Sequence, residues 1–122
     1  MKYFIAIFPL FLFIATAIHA QSTPEYGTPE ERAGRMTGRM REGLPLRSAQ
    51  VDTIYALNLK YARRIQREVI DTDMNKLSGY FRARSINQEK EEELLPLLDS
   101  RQKEQYEKMK VEATRELLAR FF

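Results

Sequence analysis

The sequence predicts an all-α protein in which a signal peptide precedes about four helices. Beyond residue 28, apolar residues recur at spacings of three and four, as on one face of a helix, and no stretch alternates as a strand would. Short phrases that favour helix starts stand before the periodic segments. The first 20 residues differ from the rest, since Lys2 is their one charge and an apolar run follows it.

Residues 1–20 have the pattern of a secretory signal peptide, because the apolar run ends in small residues. We expect cleavage after Ala20, with cleavage after Ala17 as the alternative. An uncleaved membrane anchor is disfavoured, since the run contains Pro9 and is short for a span of about 20 residues. The expected product is a periplasmic chain that starts at Gln21.

The composition excludes several functional classes. The chain of 122 residues has no Cys or Trp, and its only histidine, His19, lies in the signal peptide. Cys–His and Ser–His–Asp catalysis are therefore excluded after cleavage, and carboxylates alone suit zinc or copper poorly. We expect no enzymatic activity, metal or cofactor. The 20 basic and 17 acidic residues are interspersed, and export leaves little access to nucleic acid, so nucleic acid is not an expected partner.

The first predicted helix spans residues 29–43 and follows a leader, 21–28, that is expected to be disordered. Thr28 is the expected N-cap, Pro29 suits the first helical position, and Glu31 completes a capping box. The apolar side of this helix is thin, so it should need a partner surface.

The remaining helices are predicted at about 48–70, 73–95 and 100–120, within one domain at 29–122. The two central helices are similar in length and are joined by a tight turn, so they should form a long helical hairpin. The apolar stripe of the third helix begins with Met74, Leu77, Tyr80 and Phe81, and beyond Arg84 the apolar residues lie on a different face. The segment is therefore either one helix with a defect near residue 85 or two short helices, the second starting at a capping box in "SINQ" (85–88).

A short phrase occurs twice, as "LPLRSAQ" and as "PLLDSRQ", about fifty residues apart. In the second copy Asp99 is a good N-cap, and the side chain of Gln102 can reach back to its backbone N–H. In the first copy Arg47 cannot accept a capping hydrogen bond, so Ser48 is expected to take over that role. The phrase is thus a helix-start motif built on Leu46, Gln50, Leu98, Asp99 and Gln102.

Two basic stripes are candidate binding surfaces for clients or partners. Flexible Met side chains and planar Arg side chains suit promiscuous contacts. The alternative is that the basic residues form solvated faces and the methionines belong to the core. The candidates are Arg32, Arg35, Met36, Arg39 and Met40 on the first helix, and Lys60, Arg63, Arg64 and Arg67 on the second.

The doubled Leu-x-x-x-Gln phrase, with "LPLRSAQVDTIYALNLKYARR" and "LLDSRQKEQYEKM" in order after an export signal, resembles the Spy/CpxP-like periplasmic family, and looks closest to its short members from Bacteroidota. The family phrase is Leu-Thr-x-x-Gln, and here Arg47 and Asp99 stand in place of Thr. The resemblance implies a four-helix chain that pairs into a curved antiparallel homodimer, whose concave side holds unfolded proteins without ATP. Some members of the family bind zinc through histidines, and because the mature chain lacks histidine, zinc binding is not expected here.

The expected function is that of an ATP-independent chaperone or envelope-stress protein, which binds partly unfolded envelope proteins through basic and apolar helix faces. The alternative is a non-enzymatic adaptor or inhibitor that docks on an envelope sensor protein. A protein that acts on anionic lipid surfaces through its basic helices is a further alternative. Long, thinly apolar helices in a chain of this size bury little core alone, so their exposed faces should need another copy or a client.

Overall fold

The computed structural model describes residues 27–121. The predicted signal peptide, both candidate cleavage positions and leader residues 21–26 lie outside the described residues. Within 27–121 the chain forms four α-helices and no strand, which confirms the all-α prediction. No helix in this part of the chain is long and apolar enough to span a membrane.

Helix α1, Pro29–Gly43, begins as predicted. The Thr28 hydroxyl accepts from the backbone N–H of Glu31 at 3.1 Å, and the Glu31 carboxylate accepts from the Thr28 N–H at 3.3 Å. Before this cap, Gly27 has a φ of 69°, where a side chain is disfavoured. The cap, together with a hydrogen bond from the Arg32 guanidinium to the Gly27 carbonyl, attaches the last two residues of the predicted leader to α1.

Helix α2, Ser48–Ile65, continues as a π-helical turn, Gln66–Ile70, so the predicted end is correct. Helix α1 packs mainly on α2. Within this interface the buried side-chain amide of Asn58 donates to the Thr37 hydroxyl at 3.0 Å. The contact joins α1 and α2 through a polar pair surrounded by core side chains.

Helix α3, Lys76–Leu94, is one continuous helix, followed by a 3-10 turn, Leu95–Leu97. The predicted start directly after Asp73 is wrong, because the side chain of Asn75 caps the helix by accepting from the Ser78 N–H at 2.8 Å. The predicted capping box at residues 85–88 lies inside α3 and starts no helix.

The predicted apolar stripe at the start of α3 is wrong in most positions. Tyr80 is buried, but Met74, Leu77 and Phe81 are 38–53% exposed. The residues that reach the core instead recur at spacings of three and four along the helix, whereas the predicted stripe covers only its first turns. This core face consists of Tyr80, Ala83, Ile86, Lys90 and Leu94.

Helices α2 and α3 form the predicted hairpin. Lys60 pairs with Glu93 at 3.0 Å and Arg64 with Glu89 at 3.1 Å, and these pairs place the two helices antiparallel. Helix α4, Ser100–Phe121, contacts α1. The shared core contains Met40, Leu44, Ile54, Leu57, Tyr61, Ile65, Ala83, Ile86, Leu94, Leu98 and Tyr106.

Candidate functional site

The two copies of the helix-start phrase meet through their glutamines. The Nε2 of Gln50 donates to the Oε1 of Gln102 at 2.8 Å, and the Nε2 of Gln102 donates to the Oε1 of Gln50 at 2.8 Å. Gln102 is 1% exposed and Gln50 is 9% exposed. We call this arrangement the glutamine pair.

Each glutamine also serves the start of its own helix and the loop before the other. The Oε1 of Gln50 accepts from the Arg47 N–H at 2.9 Å, and the Oε1 of Gln102 accepts from the Asp99 N–H at 3.0 Å. The Nε2 of Gln50 also donates to the Leu97 carbonyl, and the Nε2 of Gln102 also donates to the Pro45 carbonyl, both at 3.0 Å. All donors and acceptors of both side-chain amides are thereby used.

The residues that follow Leu46 and Leu98 in the two phrases lie together beside the glutamine pair. Arg47 and Asp99 form an ion pair at 3.7 Å, with side chains 67% and 52% exposed. Asp99 caps α4 as predicted, since its Oδ1 accepts from the Gln102 N–H at 2.8 Å. The expectation that Ser48 caps α2 is wrong: α2 begins at Ser48, and Gln50 accepts the N–H of the capping residue, Arg47.

The glutamine pair places the first half of α4 beside the end of α1, where the two helices enclose a groove of about 690 Å³. We call it the α1–α4 groove. Its apolar lining combines a buried Met40 and Tyr106 with a partly buried Met36 and Met109. Its other lining residues are mostly charged or polar and comprise Arg39, Glu42, Gly43, Gln105, Lys108, Lys110, Glu112, Ala113 and Glu116.

A close approach at Gly43 sets the depth of this groove. A Cβ atom at Gly43 would lie 2.5 Å from the sulfur of Met109, so the thioether packs directly on the α1 backbone. Met36, Met40 and Gly43 follow one another on one side of α1 at helical spacing. The three thioethers therefore lie along one strip of the groove, and their flexible side chains give an apolar surface that can change shape.

Glu91 on α3 contacts two residues of the inner wall of the α1–α4 groove. The Tyr106 hydroxyl donates to the Glu91 carboxylate at 3.3 Å, and the Lys110 ammonium pairs with Glu91 at 2.8 Å. Burial and the adjacent Glu91 raise the pKa of Tyr106, so its hydroxyl stays protonated. For Lys110, burial acts to lower the pKa, but hydrogen bonds to Glu91 and Glu107 outweigh it and raise the pKa. The wall stays charged and hydrogen-bonded near neutral pH.

The structure separates the candidate residues of the first basic stripe. Arg32 is 5% exposed, and its guanidinium donates to the carbonyls of Gly27 and Ala62 and to the side chain of Gln66, at 2.7–3.2 Å. It links α1 to α2 and does not share an exposed face with the other two arginines. Arg35 and Arg39 are exposed, and Arg39 lines the groove with Met36 and Met40.

The second basic stripe is largely paired with carboxylates. Lys60 contacts Glu93, and Arg63 lies 3.8 Å from Glu30. Arg64 pairs with Glu68 at 2.9 Å and with Glu89. Arg67 is exposed. These pairs neutralise much of the charge that the stripe carries.

Tyr61 lies inside the second basic stripe. Lys60 and Arg64 lie 5.2 and 5.6 Å from the centre of its ring, and its hydroxyl bonds to Glu93. Burial, with the hydrogen bond to Glu93, raises the pKa of Tyr61 to about 12. The cluster ties α2 to α3 and leaves little apolar surface for a client.

Tyr106 and Met109 line the groove but were not among the site residues predicted from the sequence. Met109 has the same adaptable side chain as Met36 and Met40, but only the return of α4 onto α1 brings the three together. Within the described residues, no cluster of His, Cys, Asp or Glu is arranged to hold a metal ion.

A family model described as "Domain of unknown function (DUF4890)" matches residues 17–118, which is most of the chain. Comparison with curated proteins and with solved structures found no match.

Proposed function

The chain belongs to the DUF4890 family, and for this member we propose the role of an exported, ATP-independent chaperone that holds partly unfolded envelope proteins. The observation that carries the proposal is the α1–α4 groove, whose floor is apolar and adaptable and whose rim is charged. The features that resemble Spy/CpxP-like proteins support the same role. We therefore place the protein, as a proposal, in the periplasm and in the envelope stress response.

The chemistry of the groove suits unfolded segments. Such segments expose apolar side chains without a fixed shape, and thioether side chains repack around different shapes at low cost. Arg39 on the rim supplies a planar cation that can pair with carboxylates or stack on aromatic rings. Contacts of this kind give weak binding of many sequences, which allows release without ATP.

A homodimer is part of the proposal. Beyond the groove, Val111 and Leu118 on α4 are 54% and 37% exposed. A second copy that covers this half of α4 would remove apolar surface from water and extend the groove. Sedimentation equilibrium should give twice the chain mass, and Val111→Asp should shift it toward the monomer. A monomeric wild type at micromolar concentration would contradict this part of the proposal.

The central test is protection of a client from aggregation. The processed chain, expressed with its own signal and checked by mass, should reduce the light scattering of dithiothreitol-reduced insulin in a dose-dependent way. Met36→Glu with Met109→Glu should abolish protection, because two charges then occupy the apolar floor. Met74→Glu, at the far end of the hairpin, is the matched control and should keep it. Absence of protection by the wild type at several-fold molar excess would refute the proposal.

A second candidate is an adaptor that docks on an envelope sensor protein. The observation in its favour is the patch formed by Met74, just before α3, and by Leu77 and Phe81 on α3, which are 38–53% exposed. A dedicated partner should appear as a single stoichiometric protein in a pull-down from envelope extract and disappear with Leu77→Glu. Recovery of many substoichiometric proteins that is unaffected by Leu77→Glu favours the chaperone.

A further inference from the structure

We propose that the thioethers of Met36 and Met109 form an oxidation-sensitive site, at which conversion to sulfoxides closes the α1–α4 groove to apolar segments. The inference concerns regulation of the groove and rests on the client-binding function proposed for it. The two thioethers form a modification site, and the reagent that modifies them is hypochlorous acid or a related two-electron oxidant.

The methionines differ in access. Three of the four in the described residues line the groove, and of these Met36 and Met109 are only partly buried. Met40 is 1% exposed, and its sulfur accepts a hydrogen bond from the Asn58 amide at 3.7 Å. Met74 is 38% exposed, outside the groove. An oxidant should therefore react with Met36, Met109 and Met74 well before Met40.

The composition directs oxidants to these sulfurs. The sequence has no Cys or Trp, and its one histidine lies in the predicted signal peptide. Thioethers are then the most readily oxidised side chains of the exported chain. In the net reaction the sulfur gives two electrons to the chlorine of hypochlorous acid and gains its oxygen, and the products are the sulfoxide, a proton and chloride.

The geometry decides where the new oxygen points. The α1 side of the Met109 sulfur is filled, since even a Cβ atom at Gly43 would lie only 2.5 Å away. The oxygen should therefore be added on the side of the sulfur that faces away from α1, where it presents a polar acceptor to whatever the groove holds. An apolar segment would have to cover that acceptor without hydrogen-bonding it, which is unfavourable. Affinity for apolar segments should fall about tenfold or more.

The experiment compares wild type with Met36→Leu/Met109→Leu, which keeps apolar volume without an oxidisable sulfur. Met74→Leu is the matched control. Each protein is treated with limiting hypochlorous acid, quenched and analysed by peptide mass spectrometry, and its affinity for a fluorescent, apolar, unfolded peptide is measured. Oxidised wild type and oxidised Met74→Leu should lose affinity relative to their own untreated forms, and methionine sulfoxide reductases should restore it in the wild type. The double variant should have the same affinity before and after treatment, whatever the effect of the two substitutions on its untreated affinity.

The outcomes separate this inference from the proposed function. If untreated wild type binds the peptide and oxidised wild type binds it equally well, the switch is refuted and the chaperone proposal stands. If untreated wild type does not bind, the chaperone proposal fails and the switch fails with it. Peptide mass spectrometry tests the site independently of binding. If Met40 is oxidised together with or before Met36 and Met109, the proposed oxidation site is refuted.

Discussion

Replacing Gln102 by Ala should destabilise the fold more than its small size suggests. The glutamine pair contains six hydrogen bonds, and four of them involve Gln102. Gln102→Ala removes these four and leaves the Pro45 carbonyl, the Asp99 N–H and one Nε2 hydrogen of Gln50 without partners. At about 1 kcal/mol for each bond, the expected loss is about 4 kcal/mol. That is a large part of the roughly 5–15 kcal/mol that stabilises a typical domain.

The pairing can be separated from the two helix caps by a double-mutant cycle. Gln50→Ala also removes four hydrogen bonds, and two of the six are shared between the two glutamines. The double variant loses six bonds, so its destabilisation should fall about 2 kcal/mol short of the sum of the single variants. The coupling energy therefore measures the amide–amide contact itself.

The assay is urea unfolding followed by far-UV circular dichroism, with free energies of unfolding compared at equal m-values. Gln88→Ala, at an exposed position on α3, is the control and should change the stability by less than about 0.5 kcal/mol. Additivity of the two single variants within about 0.5 kcal/mol would refute the pairing. A loss below about 1 kcal/mol for Gln102→Ala would contradict its burial.

Three further predictions concern single residues. Burial lowers the pKa of Lys90 from 10.5 to about 8. Between pH 8 and pH 10.5 the unfolded chain therefore binds more protons than the folded chain, so the free energy of unfolding of the wild type should rise with pH over this range. Lys90→Met should be about 3 kcal/mol more stable than wild type at pH 7. In urea unfolding, the difference in free energy of unfolding between the two proteins should narrow from pH 8 to pH 10.5. A difference that stays constant over this range would contradict the lowered pKa of Lys90. Gly43→Ala should cost about 1 kcal/mol by displacing the Met109 sulfur, and thermal unfolding should show no such cost when Met109→Ala is also present. Arg32→Met should cost about 2–3 kcal/mol by removing the hydrogen bonds of a buried guanidinium yet leave client protection per folded molecule unchanged. Arg39→Gln should lower client protection per folded molecule.

Helix starts could be predicted from the sequence because their chemistry is local. Thr28 and Glu31 form the predicted capping box, and Asp99 and Gln102 form the second. Each of these contacts joins residues three apart, so neighbours in the sequence are neighbours in space. The failure at Ser48 has a local cause as well. The N–H groups of Gln50 and Val51, which a cap at Ser48 would serve, donate to the Arg47 carbonyl at 2.9 and 3.1 Å, so the helix starts one residue earlier than expected.

The buried face of α3 could not be predicted in the same way. The helix has competing apolar stripes, and the one that reaches the core contains Lys90, which a pattern of apolar residues assigns to solvent. Local capping chemistry near Ser85 also suggested a break that the structure lacks. Which stripe is buried depends on the position of α2, and no short window of sequence contains that information.

The candidate site depended on contacts that are distant in sequence. The basic residues of α2 were grouped as one stripe from their spacing, but their carboxylate partners lie on other helices or on the π-helical turn. Arg32 was grouped with Arg35 and Arg39 by spacing, and its burial follows from acceptors on α2. The repeated phrases were identified individually, and their pairing was not predicted because each phrase is already explained as a helix start.

The glutamine pair and the groove have opposite physical character, and this contrast favours a client that varies. At one end, the saturated amides of Gln50 and Gln102 hold the starts of α2 and α4 in one geometry, because any shift would break buried hydrogen bonds. Farther along α4 the contacts with α1 are made by flexible thioethers, and Val111 and Leu118 are exposed. A groove that is rigid at one end and adaptable along its length can admit segments of different shape without losing the fold. A partner of fixed shape would gain more affinity from preorganised contacts, so this architecture supports the chaperone over the dedicated adaptor.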